Sequence, residues 1–184
     1  VLDRILENLG KVVPHDAANV MLISDGVGHI TRARRYFDYP FGDWATRHAF
    51  VVADTPTLDE MVRRRRPICI PHTTRDPGWT DYFETEWIRS HLGAPIIVDG
   101  DVIGIVHANS THPDAFSPSD AERLQLFADQ VAIAIKNAQL YEEARLRNQR
   151  LELLNRITRI GTATCDVQEV AREVAETVAQ VPGV

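Results

Sequence analysis

Histidine side chains in apolar segments are the groups in this sequence that most suggest a binding site. Of the seven histidines, His107 stands in the apolar stretch "GIVHANS", where an uncharged imidazole needs a hydrogen-bond partner or a ligand. The others include His72, His91 and His112, and no two histidines stand four residues apart or flank cysteines in a zinc pattern. The spacing therefore predicts no metal site. His107 is a candidate ligand contact, although structural or surface histidines are more common.

The two cysteines, Cys69 and Cys165, limit the redox chemistry that the chain could perform. They form no CxxC pair and stand far apart in the sequence. A catalytic thiolate needs a second thiol to resolve its oxidised form, and Cys69 lies in the apolar segment "PICIP", where a small buried side chain is the more common role. The sequence also lacks a G-x-S-x-G motif. We therefore predict reduced thiols and no catalytic centre.

The composition is that of a globular protein with an acidic balance. Hydrophobic residues make up 44% and charged residues 25% of the 184 residues, and the formal net charge is −6. This balance disfavours a general nucleic-acid surface. No apolar run is long enough to span a bilayer, so we expect no membrane segment and a cytoplasmic location. The chain begins without Met and ends within an amphipathic pattern, which indicates a fragment of a longer protein.

Two Asp-Gly turns organise the predicted sheet, one at Asp25-Gly26 and one at Asp99-Gly100. Each turn tolerates positive φ and separates two β-rich runs, a pattern typical of a hairpin. An amphipathic helix precedes Pro14, and a further short strand is expected near Cys69. Helices and strands are mixed without regular alternation, so the pattern indicates the α+β class.

The segment 72–92 is expected to cover the sheet. It begins with the turn "DPGW" and then carries aromatic residues at helical spacing, so we expect a short helix from about Thr80. A mobile cover over a fixed sheet is typical of a ligand pocket, although aromatic residues so spaced more often belong to a core. The candidate pocket residues are His72, Asp76, Trp79, Tyr82, Trp87, His91 and His107.

A long helix is predicted from Ser119 to Ile160, because Ser117 or Ser119 can cap its first turn and no Gly or Pro interrupts it. One domain of this size cannot bury the apolar stripe of such a helix, so we expect pairing with a second copy. The apolar residues recur at heptad spacing, which is typical of a coiled coil, and fold-back onto its own domain is the alternative. The candidate dimer residues are Leu146, Leu153, Leu154, Ile157 and Ile160.

Several segments in this order resemble a GAF domain, the small sensory module of bacterial signalling proteins. They are "RRPICIP", the "DPGW" turn, "IRSHLGAPIIVDGDVIGIVHANS", "AFSPSD" and "AIAIKNAQLYEE". The resemblance implies a central antiparallel sheet of five to six strands with helices on both faces. We expect a sensor domain at 1–140, a signalling helix or coiled-coil linker at 141–160, and the start of a following domain at 161–184. The apolar spacing in 167–178 repeats that of the first helix, so this segment either opens a second GAF copy or is an unrelated amphipathic helix.

This resemblance implies a non-catalytic sensor that binds a small molecule and forms a homodimer through its terminal helices. The signal would pass along the C-terminal helix to an output domain in the same chain, such as the histidine kinase of a two-component system or a cyclic-dinucleotide enzyme. A ligand-free dimerisation scaffold is the alternative. A more remote one is a Cys-dependent enzyme similar to the methionine sulfoxide reductases of this family.

The resemblance also bears on cofactors. Relatives that attach bilins carry a Cys followed by a His in the ligand-side helix, and "TDYFETEWIRSHL" contains no Cys. A covalent bilin is therefore not expected, and the histidine spacing disfavours haem as well. The Asn-Lys-Phe-Asp-Glu set of cyclic-nucleotide-binding relatives is not found either. The ligand stays unnamed at this level.

Overall fold

The computed structural model describes residues 2–163, 171–172 and 174–176. Within those residues the chain forms four α-helices and one six-stranded sheet. It divides into two units, Val1–Lys136 and Asn137–Val184. The helices are α1 (Leu2–Val12), α2 (Gly42–Arg47), α3 (Pro56–Arg64) and α4 (Pro118–Ala163). The strands are β1 (Ala17–Ser24), β2 (Val27–Arg34), β3 (Ala49–Val51), β4 (Ile68–Ile70), β5 (Ser90–Val98) and β6 (Asp101–Ser110).

The sheet has the order β3-β2-β1-β6-β5-β4, and every neighbouring pair is antiparallel. Both predicted hairpins are present. Asp25 and Gly26 have φ values of 51° and 76°, and Asp99 and Gly100 have 52° and 91°, so each turn uses two left-handed residues as two-residue hairpins require. The predicted α+β class and the six-stranded antiparallel sheet are therefore confirmed.

One side of the sheet, which we call the helix face, packs against α1 and the first half of α4. Its core is apolar and includes Leu9 from α1, Val106 from β6 and Leu124 and Val131 from α4, all fully buried. Helix α4 starts at a capping box, because the Asp120 carboxylate accepts hydrogen bonds from the Ser117 backbone N–H at 2.9 Å and from its hydroxyl at 2.6 Å. Of the two predicted caps, Ser117 is the one used.

The other side, the pocket face, is covered by α2, α3 and the segment between β4 and β5. Its apolar core contains Met21, Ile30, Leu58, Met61 and Ile105. Met21 in β1 and Ile105 in β6 alternate with the helix-face residues Val20 and Val106, as the period of two of a β-strand requires. The pocket face is therefore built from the same strands as the helix face, but from the other half of their side chains.

One local prediction for this cover was wrong. The expected helix from Thr80 is absent, and only a 3-10 turn at Phe83–Thr85 forms there. Successive short turns replace it, since the N–H of Thr85 bonds to Tyr82 O and the N–H of Ile88 bonds to Thr85 O, both at 2.9 Å. Threonine and aspartate have low helix propensity, so nothing local enforces longer helical bonds.

Helix α2 was not predicted, because Pro40 and Gly42 mark its start as a loop. Phe41 before it has a left-handed φ of 58°. A Cβ at Gly42 would lie only 1.9 Å from the backbone oxygen of Tyr36. The glycine is therefore required by the close approach of two backbone segments, and it fixes α2 beside Tyr36.

Residues 137–163 of α4 belong to the second unit. Leu140, Tyr141, Leu146, Leu151 and Leu154 are exposed on this part of the helix, and Arg145 pairs with the Glu142 carboxylate at 2.7 Å. Leu153 and Ile157 are half-buried, and the side chain of Ile160 lies outside the described residues. Most of 161–184 lies outside them as well, so the predicted start of a following domain is not described. Across the described part of the chain, every helix falls short of the length and apolarity that crossing a membrane demands.

Candidate functional site

A cavity of about 80 Å³ lies in the first unit, between the pocket face and its cover. Its floor is formed by polar side chains from three strands: Asn19 of β1, His91 of β5, and His107 and Asn109 of β6. In the sheet register, Asn19 pairs with His107 and Asn109 pairs with His91. Four polar residues therefore occupy two adjacent cross-strand rows of the sheet.

A hydrogen-bonded chain runs across this floor. The Asn19 side-chain amide donates to the Tyr36 hydroxyl at 2.6 Å, and the Asn109 amide donates to the same hydroxyl. The Asn109 side-chain oxygen lies 2.7 Å from His91 Nδ1. Because an amide oxygen can only accept, His91 carries its proton on Nδ1 and leaves Nε2 as an acceptor. Tyr36 is fully buried, and burial raises the pKa of its phenol further above its ordinary value.

Other buried polar atoms in the floor lack a protein partner. His107 is buried, and neither its Nδ1 nor its Nε2 has a hydrogen-bond partner. The Asn19 side-chain oxygen is likewise buried without a partner. Buried polar groups in native proteins are nearly always paired, and each one left unpaired costs about 1–3 kcal/mol. These atoms therefore need a ligand or ordered water in the cavity.

The cavity is uncharged at neutral pH. Burial lowers the pKa of His91 to about 4, although its bond to Asn109 opposes this shift. Burial also lowers the pKa of His107 well below its ordinary value, and the nearby His91 adds to this effect. The centroids of the two rings lie 5.2 Å apart. No Asp, Glu, Lys or Arg is found among the described side chains that line the cavity.

Aromatic and aliphatic side chains form the walls. The Trp79 ring lies 4.9 Å from that of His91, centroid to centroid, and Tyr82 lies in an aromatic cluster with Trp44, His48 and Phe50. A hypothetical Cβ at Gly93 would lie 2.7 Å from Met61 Sδ and 3.3 Å from His91 Nε2. The missing side chain at this position lets the Met61 side chain pack beside His91. The rest of the wall includes Met21, Ile30, Ala45, Leu58, Thr85 and Ile88.

The candidate pocket residues from the sequence separate into two groups. Trp79, Tyr82, His91 and His107 line the cavity, whereas His72, Asp76 and Trp87 do not. His72 Nε2 lies 3.0 Å from the Asp114 carboxylate. Asp76 accepts the N–H of Gly78 at 2.8 Å and so shapes its own turn. Each of these two polar side chains thus has a local partner outside the cavity.

Trp87 is part of the core behind the cavity wall. Its ring stacks on Tyr39 at a centroid distance of 4.1 Å and meets Tyr36 edge-on at 5.5 Å. The sequence analysis also missed Asn19, Tyr36 and Asn109. The available signal for the two asparagines was a buried-strand pattern interrupted by an amide, in "AANVMLIS" and "GIVHANS". Asparagine is depleted in strands, so its presence at a buried position indicates a specific polar role.

Cys69 lies away from the cavity. It packs against the core of the helix face, and its Sγ is 3.6 Å from the Phe116 carbonyl oxygen. Burial raises the pKa of its thiol, which lowers the thiolate fraction that nucleophilic chemistry needs. Cys165 lies outside the described residues. Among the side chains that the structure describes, no group of three or more His, Cys, Asp or Glu is placed to hold a metal ion.

The fold and this cavity define an α+β domain whose sheet presents one packed face and one ligand-sized pocket. A family model described as the GAF domain matches residues 1–135. The match covers well over half of the chain, and the chain belongs to the GAF domain family.

Solved structures of the same fold are similar to this chain. A GAF domain/HD domain protein from Geobacter sulfurreducens is 19% identical with a TM-score of 0.66, over 76% of this chain and 92% of that one. A domain of a putative two-component sensor histidine kinase from Sinorhizobium meliloti is 15% identical with a TM-score of 0.56, over 78% and 94%. A type II free methionine-R-sulfoxide reductase from Thermoplasma acidophilum is 17% identical with a TM-score of 0.59, over 71% and 86%. At these identities the likeness establishes the fold.

Proposed function

We propose that this chain is a non-catalytic sensory domain that binds a small molecule in the cavity on the pocket face. The observation that carries the proposal is the set of buried, unpartnered polar atoms on His107 and Asn19 in the cavity floor. A protein that used this face only for packing would be more stable with apolar residues at these positions. Keeping polar groups there at a cost in stability is typical of a binding site.

A signalling role is favoured by the kinds of protein in which similar domains occur. The similar structures include a putative sensor histidine kinase domain and a GAF domain/HD domain protein. By analogy, residues 1–140 form the sensor, residues 141–160 a linker helix, and an output domain such as a histidine kinase or a cyclic-dinucleotide enzyme follows in the same chain. We also propose a cytoplasmic location for a domain with this role.

An enzymatic role has one specific supporting observation, the likeness to a free methionine-R-sulfoxide reductase. The position of Cys69 opposes it, because its thiol packs on the helix face and is held protonated by burial. A Cys69→Ser variant should therefore bind cavity ligands as the unchanged protein does. Reduction of free methionine sulfoxide by the unchanged protein, lost on this substitution, would contradict the non-catalytic proposal.

The cavity itself is tested by filling it. Ala45 lines the cavity and is buried, so Ala45→Leu should occupy part of the space, whereas Ala115→Leu makes the same change at an exposed position. Native mass spectrometry of freshly purified protein should find a retained small molecule on the unchanged protein and on Ala115→Leu, and none on Ala45→Leu. A ligand-free protein with only ordered water in the cavity would instead favour a ligand-free dimerisation scaffold.

Homodimerisation through the terminal helices is the second part of the proposal. Leu146, Leu151 and Leu154 are between 50% and 55% exposed on residues 137–163, and several exposed apolar side chains on one helix are typical of an interface. Burying five such side chains would contribute on the order of 8 kcal/mol before the cost of association is subtracted. The candidate interface residues are Leu146, Leu153, Leu154, Ile157 and Ile160.

Charged residues in this stripe should separate the dimer. Leu153→Asp combined with Ile157→Asp is expected to give a monomer with a folded sensor domain, as measured by sedimentation velocity at micromolar concentration. Asn148→Asp combined with Asn155→Asp adds the same charges away from the stripe and should remain dimeric. An unchanged protein that already sediments as a monomer would remove this part of the proposal and leave ligand binding intact.

A further inference from the structure

We infer that the cavity selects an uncharged, planar ligand group that carries both a hydrogen-bond donor and an acceptor, such as a primary amide or an azole. This inference rests on the proposed ligand-binding function and specifies the chemistry of that same site. It follows from the charge, the hydrogen-bonding atoms and the size of the cavity.

Charge is the first restriction. No carboxylate, ammonium or guanidinium group is found among the described residues that line the cavity. An ionised ligand group would lose its hydration without gaining an opposite charge, and a buried charge that is not paired is costly. The cavity histidines could supply a positive charge only if protonated, and burial opposes their protonation. Carboxylates and ammonium groups are therefore excluded in favour of neutral groups.

The unpartnered atoms set the second restriction. The Asn19 oxygen can only accept, and His91 Nε2 is an acceptor because Nδ1 donates to Asn109. The neutral His107 ring offers one donor and one acceptor, and neither has a protein partner. If the oxygen and nitrogen of the Asn19 side-chain amide exchanged places, the atom without a partner would be a donor instead of an acceptor. The ligand would still need both a donor and an acceptor, because His91 Nε2 and the His107 ring are unchanged. A ligand that satisfies this floor needs at least one N–H or O–H and at least one acceptor atom.

Size and shape set the third restriction. The cavity of about 80 Å³ is roughly half of the 150 Å³ cavity that admits a benzene molecule. The enclosed part of the ligand is therefore a group of a few heavy atoms. Trp79 and Tyr82 line the cavity, and aromatic rings stack on planar groups, which favours a planar ligand group. Haem, a linear tetrapyrrole and a cyclic nucleotide are all larger than the enclosed space.

Ordered water is the competing occupant of the same space. Water can donate and accept, and a cavity of this size holds several molecules. The distinction between water and a selected ligand can be measured, because a water-filled floor has no preference among small probes of equal shape, whereas a built site does.

Four probes of nearly the same shape separate these restrictions: acetamide, acetate, acetamidinium and acetone. Each is titrated into the ¹⁵N-labelled protein, and the amide resonances of cavity-lining residues are followed by NMR. Acetamide should bind about tenfold or more tightly than either ion, and about tenfold more tightly than acetone, which lacks a donor. The His107→Leu variant should lose much of the preference for acetamide over acetone. His29→Leu makes the same substitution at an exposed histidine and should keep that preference.

Acetate or acetamidinium binding as tightly as acetamide would overturn this inference and leave the proposed sensory function standing, since the cavity would still bind a small molecule. No response to any probe, together with ligand-free native mass spectra, would overturn both. If His107→Leu fails to fold, the comparison of the four probes on the unchanged protein decides the matter alone.

Discussion

The helix face and the pocket face take alternate side chains from the same strands, yet they are completed in different ways. On β6, Val106 and Ala108 belong to the apolar core of the helix face, while His107 and Asn109 belong to the floor of the cavity. The helix face is closed by two helices around a cluster of apolar side chains. On α4, Gln125 donates a hydrogen bond to the Pro95 carbonyl oxygen at 3.1 Å, and its side-chain oxygen is buried without a partner. The pocket face is closed by short helices and turns around buried polar side chains.

The contrast between the two faces indicates that one side of the sheet stabilises the fold and the other side forms the candidate site. Apolar burial on the helix face stabilises the fold. The pocket face gives up part of that stability, because polar atoms of His107 and Asn19 are buried without protein partners. Sites that break a local rule of stability in this way are expected where a protein performs its function.

The largest expected effect comes from truncating the core of the helix face. Leu124 is fully buried on α4, whereas Leu126 is 66% exposed on the same helix. Leu124→Ala should lower the free energy of unfolding by about 4 kcal/mol, because it removes buried methyl groups and leaves a cavity. Leu126→Ala should change it by less than about 0.5 kcal/mol. Urea denaturation of both variants measures this contrast, and equal effects would mean that α4 does not close this face.

A change of pH should act chiefly on the pocket face. The pKa of His91 is about 4 in the folded protein and about 6.5 in an unfolded chain, so the unfolded state binds more protons between these values. The free energy of unfolding should therefore be unaffected by His91 above pH 6.5. It should fall by about 1.4 kcal/mol per pH unit as the pH decreases to 4, a total of about 3 kcal/mol.

Urea denaturation at several pH values measures this slope. His91→Gln retains a side chain that can donate to the Asn109 oxygen but cannot titrate, and its slope should be smaller by the His91 contribution. Burial also lowers the pKa of His107 well below its ordinary value, so His107 adds to the slope of both proteins. The same slope in both proteins would contradict the assignment of a buried, neutral His91.

The smallest effect is expected from removing the unpartnered polar atoms. His107→Leu replaces two buried nitrogen atoms that lack partners with an apolar side chain, and should raise the free energy of unfolding by about 1 kcal/mol at pH 7. His29→Leu on the exposed side of β2 should change it by less than about 0.5 kcal/mol. Loss of stability in His107→Leu, measured by urea denaturation in the absence of ligand, would show that the ring is satisfied in the free protein.

The parts of the fold that could be predicted from the sequence are those specified by neighbouring residues. The Asp25-Gly26 and Asp99-Gly100 turns each fix a hairpin through residues that accept positive φ. The Ser117 cap likewise fixes the start of α4. In contrast, α2 depends on the close approach of Gly42 to the Tyr36 backbone, a contact that hydrophobic periodicity does not reveal.

The candidate site was less predictable, because its polar floor is assembled across strands. Asn19 and Asn109 both reach the Tyr36 hydroxyl only after β1 pairs with β6. His91 and His107 were found because each stands in an apolar run. His72 and Asp76 were chosen for their residue types, yet they have local partners instead of cavity contacts. Residue type alone thus identified candidates, and strand register decided which of them share the site.

The state of the His107 ring with and without a bound probe tests most directly whether the cavity floor binds a ligand. The ring ¹⁵N resonances of His107 in the free protein should be those of a neutral imidazole, and saturating acetamide should shift them as new hydrogen bonds form. The ring resonances of His29, which is exposed, should not move. Unchanged His107 resonances at a concentration of acetamide that saturates the cavity would contradict the claim that the unpartnered atoms of the pocket face bind the ligand.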